Sequence, residues 1–246
     1  MALRVDLHTH TAGDPLDTFI KYQPWQLIER AIELGYGALA ITHHTQVFYD
    51  ADLDRYARDD GLVLIPGMEA NVNGKHTLVY CSKDKPIIDE LNARSRESKG
   101  NLSFDQLARL KEEGVVKLII AAHPYFILTN CLGNELLVHH DLFDLVEESW
   151  YHTGLNLLPT SLNIFNRNQK AKLVARQLGL PMIATSDAHF FDNFGTAHSI
   201  IHSEHDLESI IKVLQSKDPS KIRTVSPPIT LVEYISSIPK ILKPFL

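Results

Sequence analysis

The sequence predicts an α/β fold, and three observations support that prediction. Short apolar runs alternate with amphipathic stretches along the chain, which is the pattern of parallel strands joined by helical crossovers. The chain has 246 residues, of which 44% are hydrophobic, so it can bury one substantial core. No repeat, low-complexity tract or linker interrupts it, and we therefore expect a single domain over residues 1–246.

The first half of the chain contains four predicted strands separated by helical or polar segments. A helix is predicted for Pro24–Leu34, because proline suits the first turn of a helix and Gly35 and Gly37 follow the last apolar residue. The segment from Lys83 to Ser103 is polar, and its stretch NARSRESKGN is predicted to be a loop. The other elements are strands at LRVDL, ALAIT, LVLIPGMEA and HTLVYC, and a helix at Leu53–Arg58.

The second half of the chain continues the same alternation. Phe104–Glu113 and Asn166–Leu178 are predicted helices, and each is followed by a glycine. Strands are predicted at VKLIIAAH, within DLFDLVEESW and at PMIATSD, and two late helices at Asp206–Ser216 and Leu231–Ile241.

Composition limits the classes of partner and compartment. Lys and Arg number 24 against 30 Asp and Glu, a formal net charge of −6, so we expect no extended nucleic-acid-binding surface. The cysteines, Cys81 and Cys131, lie in unrelated contexts, which is typical of free thiols in a cytoplasmic protein. The sequence has neither a signal-peptide pattern nor an apolar stretch long enough to span a bilayer, so no membrane association is expected. It does not indicate an oligomeric state.

Side chains that can bind metals stand at the ends of nearly every predicted strand. His8 and His10 follow the first strand and, being two residues apart in an extended chain, point to the same side. Because the carboxyl ends of parallel strands share one face of an α/β fold, we expect distant segments to converge there. The other such residues are His43, His44, Glu69, His76, His123, Asp187 and His189.

Imidazole and carboxylate groups without cysteine form a ligand set suited to Zn²⁺, Mn²⁺ or Fe. More than four such ligands indicate more than one ion, and Glu69 has two oxygens with which it can bridge two ions. We therefore expect two or three divalent metal ions. Neighbouring ions of this kind activate a water molecule and neutralise a transferring phosphoryl group.

The segments DLHTHT, AITHHT, GMEA, AHP and ATSDAH occur in this order between Arg4 and His189. Together they resemble the PHP (polymerase and histidinol phosphatase) superfamily. The resemblance implies a distorted (β/α)7 TIM-like barrel, a site of two or three metals and phosphoesterase chemistry. The implied ligands are His8, His10, Glu69 and Asp187 for one ion, Glu69, His76 and His123 for a second, and His44, His189 and an acid of the first loop for a third.

The sequence departs from the family pattern at two places. The acid of the first loop has an altered spacing, and we assign it to Asp14, with Asp17 as the alternative. Where the family usually has Thr-Asp-His, this chain has Thr42-His43-His44. We align His44 with the metal ligand, so His43 replaces an acid that the resemblance implies would orient neighbouring ligands.

The resemblance implies catalytic roles for Glu69, Asp187 and His189, because a ligand histidine or aspartate can protonate the leaving oxygen. Candidates for substrate binding are His152, just beyond a strand end, Arg167, near a helix N-terminus that suits phosphate, and His198. Each has an ordinary alternative, as a loop histidine or an exposed helix arginine. The stretch with Arg94, Arg96 and Lys99 is either a lid over an anionic substrate or a solvated loop.

We therefore predict metal-dependent hydrolysis of a phosphate ester, with a small phosphomonoester as substrate. Two alternatives use the same metals: a phosphodiesterase or exonuclease acting on nucleotides, which the acidic charge disfavours, and a metal-binding module without turnover. An amidohydrolase is a third alternative, because such barrels also use His-x-His. The SDAH segment, the position of Glu69 and the lack of a candidate bridging lysine after a central strand argue against it.

Overall fold

A computed structural model describes residues 1–126, 130–150 and 167–227, and these ranges form seven α-helices and eleven strands. The helices are α1 Pro24–Glu33, α2 Ala51–Asp59, α3 Lys85–Glu97, α4 Phe104–Glu112, α5 Glu135–Val138, α6 Arg167–Leu178 and α7 Leu207–Gln215. The strands are β1 Ala2–Asp6, β2 Ala38–Leu39, β3 Val63–Leu64, β4 Gly67–Val72, β5 Lys75–Tyr80, β6 Asn101–Leu102, β7 Leu118–Ala121, β8 Leu145–Ser149, β9 Met182–Thr185, β10 His198–His202 and β11 Ile222–Val225.

The strands form two sheets that meet along two seams. One sheet has the order β11-β10-β1-β2-β3 and the other the order β6-β4-β5-β7-β8-β9. A parallel bridge between Thr9 and Ala188 joins the end of β1 to the end of β9, and a bridge between His44 and Glu69 joins the end of β2 to β4. Because both seams close, the sheets curve into a distorted α/β barrel, which confirms the predicted fold class.

Side chains alternate between the inside of the barrel and the helical layer outside it. Leu3, Val5 and Leu7 of the first strand face an apolar interior that also contains Leu78 and Ile120. The intervening residues of the strands pack against α1 and α2 on one side and against α3, α4 and α6 on the other. The barrel therefore has an inner core and two outer cores.

The prediction of parallel strands is wrong for β5, and the strands β10 and β11, which were not predicted, are antiparallel as well. Strand β5 runs antiparallel to both β4 and β7. The reversal occurs at Asn73 and Gly74, whose φ angles are 50° and 72°, the two consecutive positive values that a two-residue type I′ turn requires. Consequently the beginning of β5, with His76, lies at the same end of the barrel as the carboxyl ends of the parallel strands.

Two further segments differ from the prediction. The stretch LVLIPGMEA forms two strands, β3 and β4, because Pro66 between them has no N–H to donate to a sheet. Most of the polar segment predicted as a loop is helix α3, which buries Ile88, Leu91 and Ser95 at helical spacing. Arg94 of this helix pairs with Glu90 along the exposed face rather than with a substrate site.

The remaining predicted helices α1, α2, α4, α6 and α7 are confirmed within two residues at their ends. The late helix predicted at Leu231–Ile241 lies outside the described residues. In the described ranges, every helix is too short or too polar to serve as a membrane span.

Candidate metal centre

The residues predicted as metal ligands lie together at one end of the barrel. His8 and His10 follow β1, His44 follows β2, and His123 follows β7. The members of this cluster, the metal-ligand cluster, are His8, His10, Asp14, Asp17, His44, Glu69, His76, His123, Asp187 and His189, and side chains among them form four groups whose donor atoms are close enough to hold an ion.

Glu69 lies at the centre of the cluster and divides it in two. Its Oε2 atom lies 3.2 Å from Nε2 of His8, 3.3 Å from Nε2 of His10 and 3.1 Å from Nε2 of His44. Its Oε1 atom lies 2.7 Å from Nδ1 of His76 and 3.0 Å from Nε2 of His123. A carboxylate whose two oxygens face separate histidine groups is arranged to bridge two cations.

Three of these donor atoms have the spacing of ligands to one metal ion. The Nε2 atoms of His8 and His10 are 3.2 Å apart, and each lies 3.2–3.3 Å from Oε2 of Glu69. Ligands bound to zinc at ordinary N and O distances are separated by about 3.3 Å, so these three side chains fit one ion. Oδ1 of Asp187 lies 3.3 Å from Nε2 of His8 and 3.7 Å from Nε2 of His10, and it forms a further group with His10 and His189.

Several buried polar atoms of the cluster have close polar neighbours but form no hydrogen bond with them. Within the described ranges, Oδ1 of Asp187, Oδ2 of Asp17 and Nδ1 of His76 have no hydrogen-bond partner. Yet Asp17 Oδ2 is 2.9 Å from Nε2 of His189, and His76 Nδ1 is 2.7 Å from Glu69. Atoms that approach this closely without hydrogen-bonding geometry behave as ligands of a shared cation, and buried polar atoms otherwise find partners. The residues therefore fit bound metal ions.

The two acids of the first loop differ in what they contact. Asp14, our first choice as a ligand, accepts hydrogen bonds from Nδ1 of His10 at 2.8 Å and from the backbone N–H of His44 at 3.0 Å. It also accepts from the backbone N–H groups of Leu16 and Asp17 and from Nδ1 of His44 at 3.1 Å, so protein donors occupy both of its oxygens. Asp17, the alternative, directs Oδ2 toward Nε2 of His189 at 2.9 Å and lies farther from Nδ1 of His44, at 3.4 Å.

The carboxylates of the cluster raise the pKa values of two of its histidines. Burial alone would lower the pKa of His44, but Glu69 and Asp14 outweigh it and raise this pKa to about 9. Asp17 and Asp187 likewise outweigh burial and raise the pKa of His189 to about 9. In the metal-free protein His44 and His189 therefore carry protons that offset the carboxylates, and a bound cation would replace those protons.

Two ligands of the cluster have unusual backbone angles. Asp187 has φ 52° and His123 has φ 24°, in the left-handed region that residues other than glycine rarely adopt. The backbone N–H of Asp187 donates to the carbonyl of His8 at 3.0 Å, which holds this conformation across the seam between the sheets. Strained residues of this kind concentrate at functional sites, where the surroundings fix the direction of a side chain.

His43 stands where the PHP pattern has an aspartate, but it does not do what a carboxylate would do there. Its Nε2 atom pairs with the hydroxyl of Thr11 at 2.8 Å, and its ring packs edge-on against Phe48. Burial lowers the pKa of His43 to about 4, so the imidazole stays neutral. It supports the loop after β1 through a hydrogen bond and packing, without contributing negative charge.

The three residues predicted to bind substrate have different locations. Arg167 begins α6, which is anchored to the end of β8 by a 2.8 Å hydrogen bond from Asn168 to the carbonyl of Ser149. His198 lies against the guanidinium of Arg4, at 3.3 Å, and the ring of Tyr36 rather than in the metal-ligand cluster. His152 lies outside the described residues.

One residue of the site was not predicted. Glu147 of β8 is fully buried and accepts a 2.7 Å hydrogen bond from Nδ1 of His8. The segment LVEES contained a signal for it, because an acid in the middle of a fully buried strand must face the interior or a neighbouring layer. A carboxylate placed inside a barrel needs a partner, and a metal-ligating histidine is a common one.

Sequence comparison finds partial matches. The profile of a family described as PHP-associated matches residues 165–218. A stretch of 88 residues is 32% identical to the DNA polymerase III PolC-type of Oceanobacillus iheyensis. This alignment covers 35% of the chain and 6% of the polymerase, so the chain corresponds to a small part of that relative.

Two solved structures share the fold. The crystal structure of PsfC from Pseudomonas syringae PB-5123 has a TM-score of 0.65 and 15% identity, over 99% of this chain and 98% of that one. Endonuclease Q, solved with a 27-mer duplex that carries an abasic lesion at its active site, has a TM-score of 0.59 and 14% identity, over 96% of this chain and 67% of that one.

Proposed function

We propose that this chain is a PHP-type metal-dependent phosphoesterase acting on a small phosphomonoester, in line with its match to the PHP-associated family over residues 165–218. The observation that carries the proposal is the position of Glu69, whose two carboxylate oxygens face five histidines at 2.7–3.3 Å. A bridging carboxylate among imidazoles is the arrangement expected of a centre with more than one divalent ion.

The cluster divides into three groups that would each hold an ion. When bound, divalent ions at such a site activate water and offset the negative charge of a phosphoryl group. We assign Asp17 rather than Asp14 to the third group, because Asp14 already accepts from five donor groups of the protein. The groups are His8, His10, Glu69 and Asp187; Glu69, His76 and His123; and Asp17, His44 and His189.

The exposed side chains of the cluster indicate where a substrate would enter. His189, Asp17 and His76 have exposed fractions of 24%, 19% and 13%, whereas His8 and His10 are fully buried. We therefore expect the phosphate to approach from the side of His189. We assign proton transfer to the leaving oxygen to this residue, because it is the most exposed histidine of the cluster.

The charge of the chain favours a small substrate over a nucleic acid. The chain has a net charge of −6, and a track for a phosphate backbone needs an excess of basic side chains. A phosphodiesterase or nuclease is the second candidate, because the relatives include a DNA polymerase and an endonuclease bound to duplex DNA. The two candidates differ in whether the scissile phosphate carries one ester bond or two.

Hydrolysis of p-nitrophenyl phosphate with Mn²⁺ or Zn²⁺ tests the proposal directly. We expect turnover that a chelator abolishes, and a loss of at least about 100-fold in kcat for Asp187→Asn, since this change removes a charged ligand. His140→Gln is a matched control, because His140 is an exposed histidine outside the cluster. Turnover that persists after complete metal removal would contradict the mechanism.

The same preparation separates the two candidate substrates. Nucleoside monophosphates and p-nitrophenyl phosphate are compared with bis-p-nitrophenyl phosphate and a short single-stranded oligonucleotide under one metal condition. The proposal expects kcat/KM to be higher for the monoesters. A preference for the diester or the oligonucleotide would assign the chain to the second candidate.

A further inference from the structure

Glu147 is a buried acid for which the family resemblance supplies no role. Its side chain is fully buried on the inward-facing row of β8, beneath the metal-ligand cluster. Oε1 accepts hydrogen bonds from Nδ1 of His8 at 2.7 Å and from the hydroxyl of Thr185 at 2.5 Å. Oε2 accepts one from the backbone N–H of His123 at 2.6 Å. One carboxylate therefore contacts three donors from three different segments.

The contact with His8 determines which nitrogen of that ring can bind a metal. In the neutral ring that binds a metal, a proton on Nδ1 that is donated to Glu147 leaves Nε2 with a free lone pair. That Nε2 atom is the one that lies 3.2 Å from Glu69 and 3.3 Å from Asp187. The hydrogen bond also fixes the plane of the ring, so the lone pair points at the position that the other ligands surround.

The contact with His123 extends the effect to a second ligand. His123 has φ 24°, an angle that a non-glycine residue keeps only when its surroundings hold it. The 2.6 Å hydrogen bond from its backbone N–H to Glu147 is one of those restraints. His8 and His123 belong to different ion groups, and both therefore depend on the same buried acid.

A second acid repeats the arrangement around the neighbouring histidine. Oδ2 of Asp14 accepts from Nδ1 of His10 at 2.8 Å, which leaves Nε2 of His10 facing His8 and Glu69. The two histidines of the His-x-His segment thus have separate carboxylate partners on the side away from the cluster. The repetition indicates that the arrangement serves the ligands and is not an isolated buried pair.

We propose that Glu147 is a positioning residue that holds His8 in its Nδ1–H form and fixes the backbone of His123, so that both ligands are set before metal binds. The proposal rests on the proposed function only in requiring that the cluster bind metal ions. It does not depend on which ester, if any, the protein hydrolyses.

Glutamine cannot take the place of this carboxylate in either orientation of its amide. With the amide oxygen toward His8 and Thr185, the NH₂ group meets the backbone N–H of His123, a second donor. With the amide reversed, the NH₂ group meets Nδ1 of His8 and favours the form of the ring protonated on Nε2. Each orientation therefore disturbs one ligand, although the volume of the side chain is unchanged.

The test compares Glu147→Gln with Glu148→Gln in the intact protein. Glu148 is the adjacent residue of β8, is also buried, and pairs with Lys172 at 2.7 Å on the opposite face of the sheet. Zn²⁺ affinity is measured by chelator competition. We expect Glu147→Gln to weaken binding by about 10–100-fold and Glu148→Gln to leave it within about threefold. Equal affinities for the two variants would overturn the proposal.

A second measurement uses the unchanged protein and so does not depend on the folding of a variant. In Zn²⁺-loaded protein, NMR should detect a slowly exchanging imidazole N–H at Nδ1 of His8, identified by its proximity to Thr185. Absence of that proton, or a proton on Nε2, would refute the assigned role. Neither readout involves hydrolysis, so a failed phosphatase assay with these results intact would count against the proposed function alone.

Discussion

Two carboxylates only three residues apart in the first loop have different surroundings. Asp14 accepts hydrogen bonds from His10, from the backbone of His44 and from its own turn, and the side chains of His10 and His44 hold the pKa of Asp14 well below its usual value despite burial. Asp17 has a buried oxygen that lies 2.9 Å from His189 without hydrogen-bonding geometry. The difference between orienting a ligand and being one therefore comes from the turn between the two residues.

Replacing each of these acids by asparagine tests the distinction. We expect Asp17→Asn to lower the number of tightly bound ions by one, because it removes an anionic ligand from the His44 and His189 group. Asp14→Asn should instead weaken the affinity of the His10 group by about 10-fold or more. Titration calorimetry with a count of bound ions measures both effects. Full stoichiometry in Asp17→Asn would contradict the assignment.

The raised pKa values of His44 and His189 predict how pH acts on the protein without metal. Both are raised from 6.5 to about 9, so the stabilisation that they provide is complete below pH 6.5 and is lost as pH rises toward 9. The lowered pKa values of Asp17 and Asp187 do not change this, because those groups are ionised throughout the window. Urea denaturation with a chelator present should give a lower free energy of unfolding at pH 9 than at pH 6.5.

Metal binding should show the opposite dependence over the same interval. Imidazole must lose its proton to bind a cation, so affinity should rise and fewer protons should be released as pH increases from 6.5 to 9. Calorimetry in two buffers of different ionisation enthalpy measures the proton release. Binding that is independent of pH would indicate that the histidines of the cluster are not the ligands.

At the scale of elements, the turn between β4 and β5 has the largest consequence for the site. Asn73 and Gly74 reverse the chain, and only this reversal brings the first residues of β5 to the ligand end of the barrel. An Asn-Gly pair between two strands is a recognised hairpin signal. Patterning predicted strand structure in both segments, but the order of residues within a strand does not reveal its direction in a sheet, which the turn determines.

Gly74→Ala should therefore destabilise the protein. Gly74 has φ 72°, where a Cβ atom is unfavourable by about 1–2 kcal/mol. No heavy atom lies within 4 Å of the added carbon, so the loss would come from the backbone alone. Gly74→Asn is the matched control, because asparagine tolerates positive φ, and its loss in urea denaturation should be smaller. Equal losses for the two variants would contradict the turn.

Helix α3 shows the limit of composition as a guide to elements. Its segment is polar, and its buried residues Ile88, Leu91 and Ser95 include only two apolar side chains. Charged pairs four residues apart, such as Lys85 with Asp89, stabilise the exposed face instead.

Strand β10 was missed because five residues with a histidine at each end do not differ from a loop in sequence. Pairing with β1 and β11 makes them a strand.

At the scale of the whole molecule, the metal-ligand cluster spans both sheets. His8 and His10 extend from the five-stranded sheet, whereas Glu69, His76, His123 and Asp187 belong to the six-stranded sheet or its connections. The residue types and their places at strand ends predicted this convergence from sequence. The position of Glu147 beneath the ligands could not be predicted in this way, because it depends on the pairing of β8 with β9.

Because the ions would join the two sheets, their removal should weaken the fold as a whole. A ligand that binds only the native state adds about 2.7 kcal/mol at a concentration of 100 Kd. We expect the midpoint of thermal unfolding to rise with Zn²⁺ or Mn²⁺ concentration and to fall with a chelator. Asp187→Asn should reduce the rise, since it removes a ligand next to the seam at Ala188. A midpoint that does not respond to metal would contradict the cross-link.

Anomalous X-ray diffraction from crystals loaded with Zn²⁺ tests the central claim most directly. The account predicts a peak enclosed by His8, His10, Glu69 and Asp187, and a second beside the other oxygen of Glu69, near His76 and His123. Saturating zinc that gave peaks only at surface histidines, or none among these side chains, would contradict it.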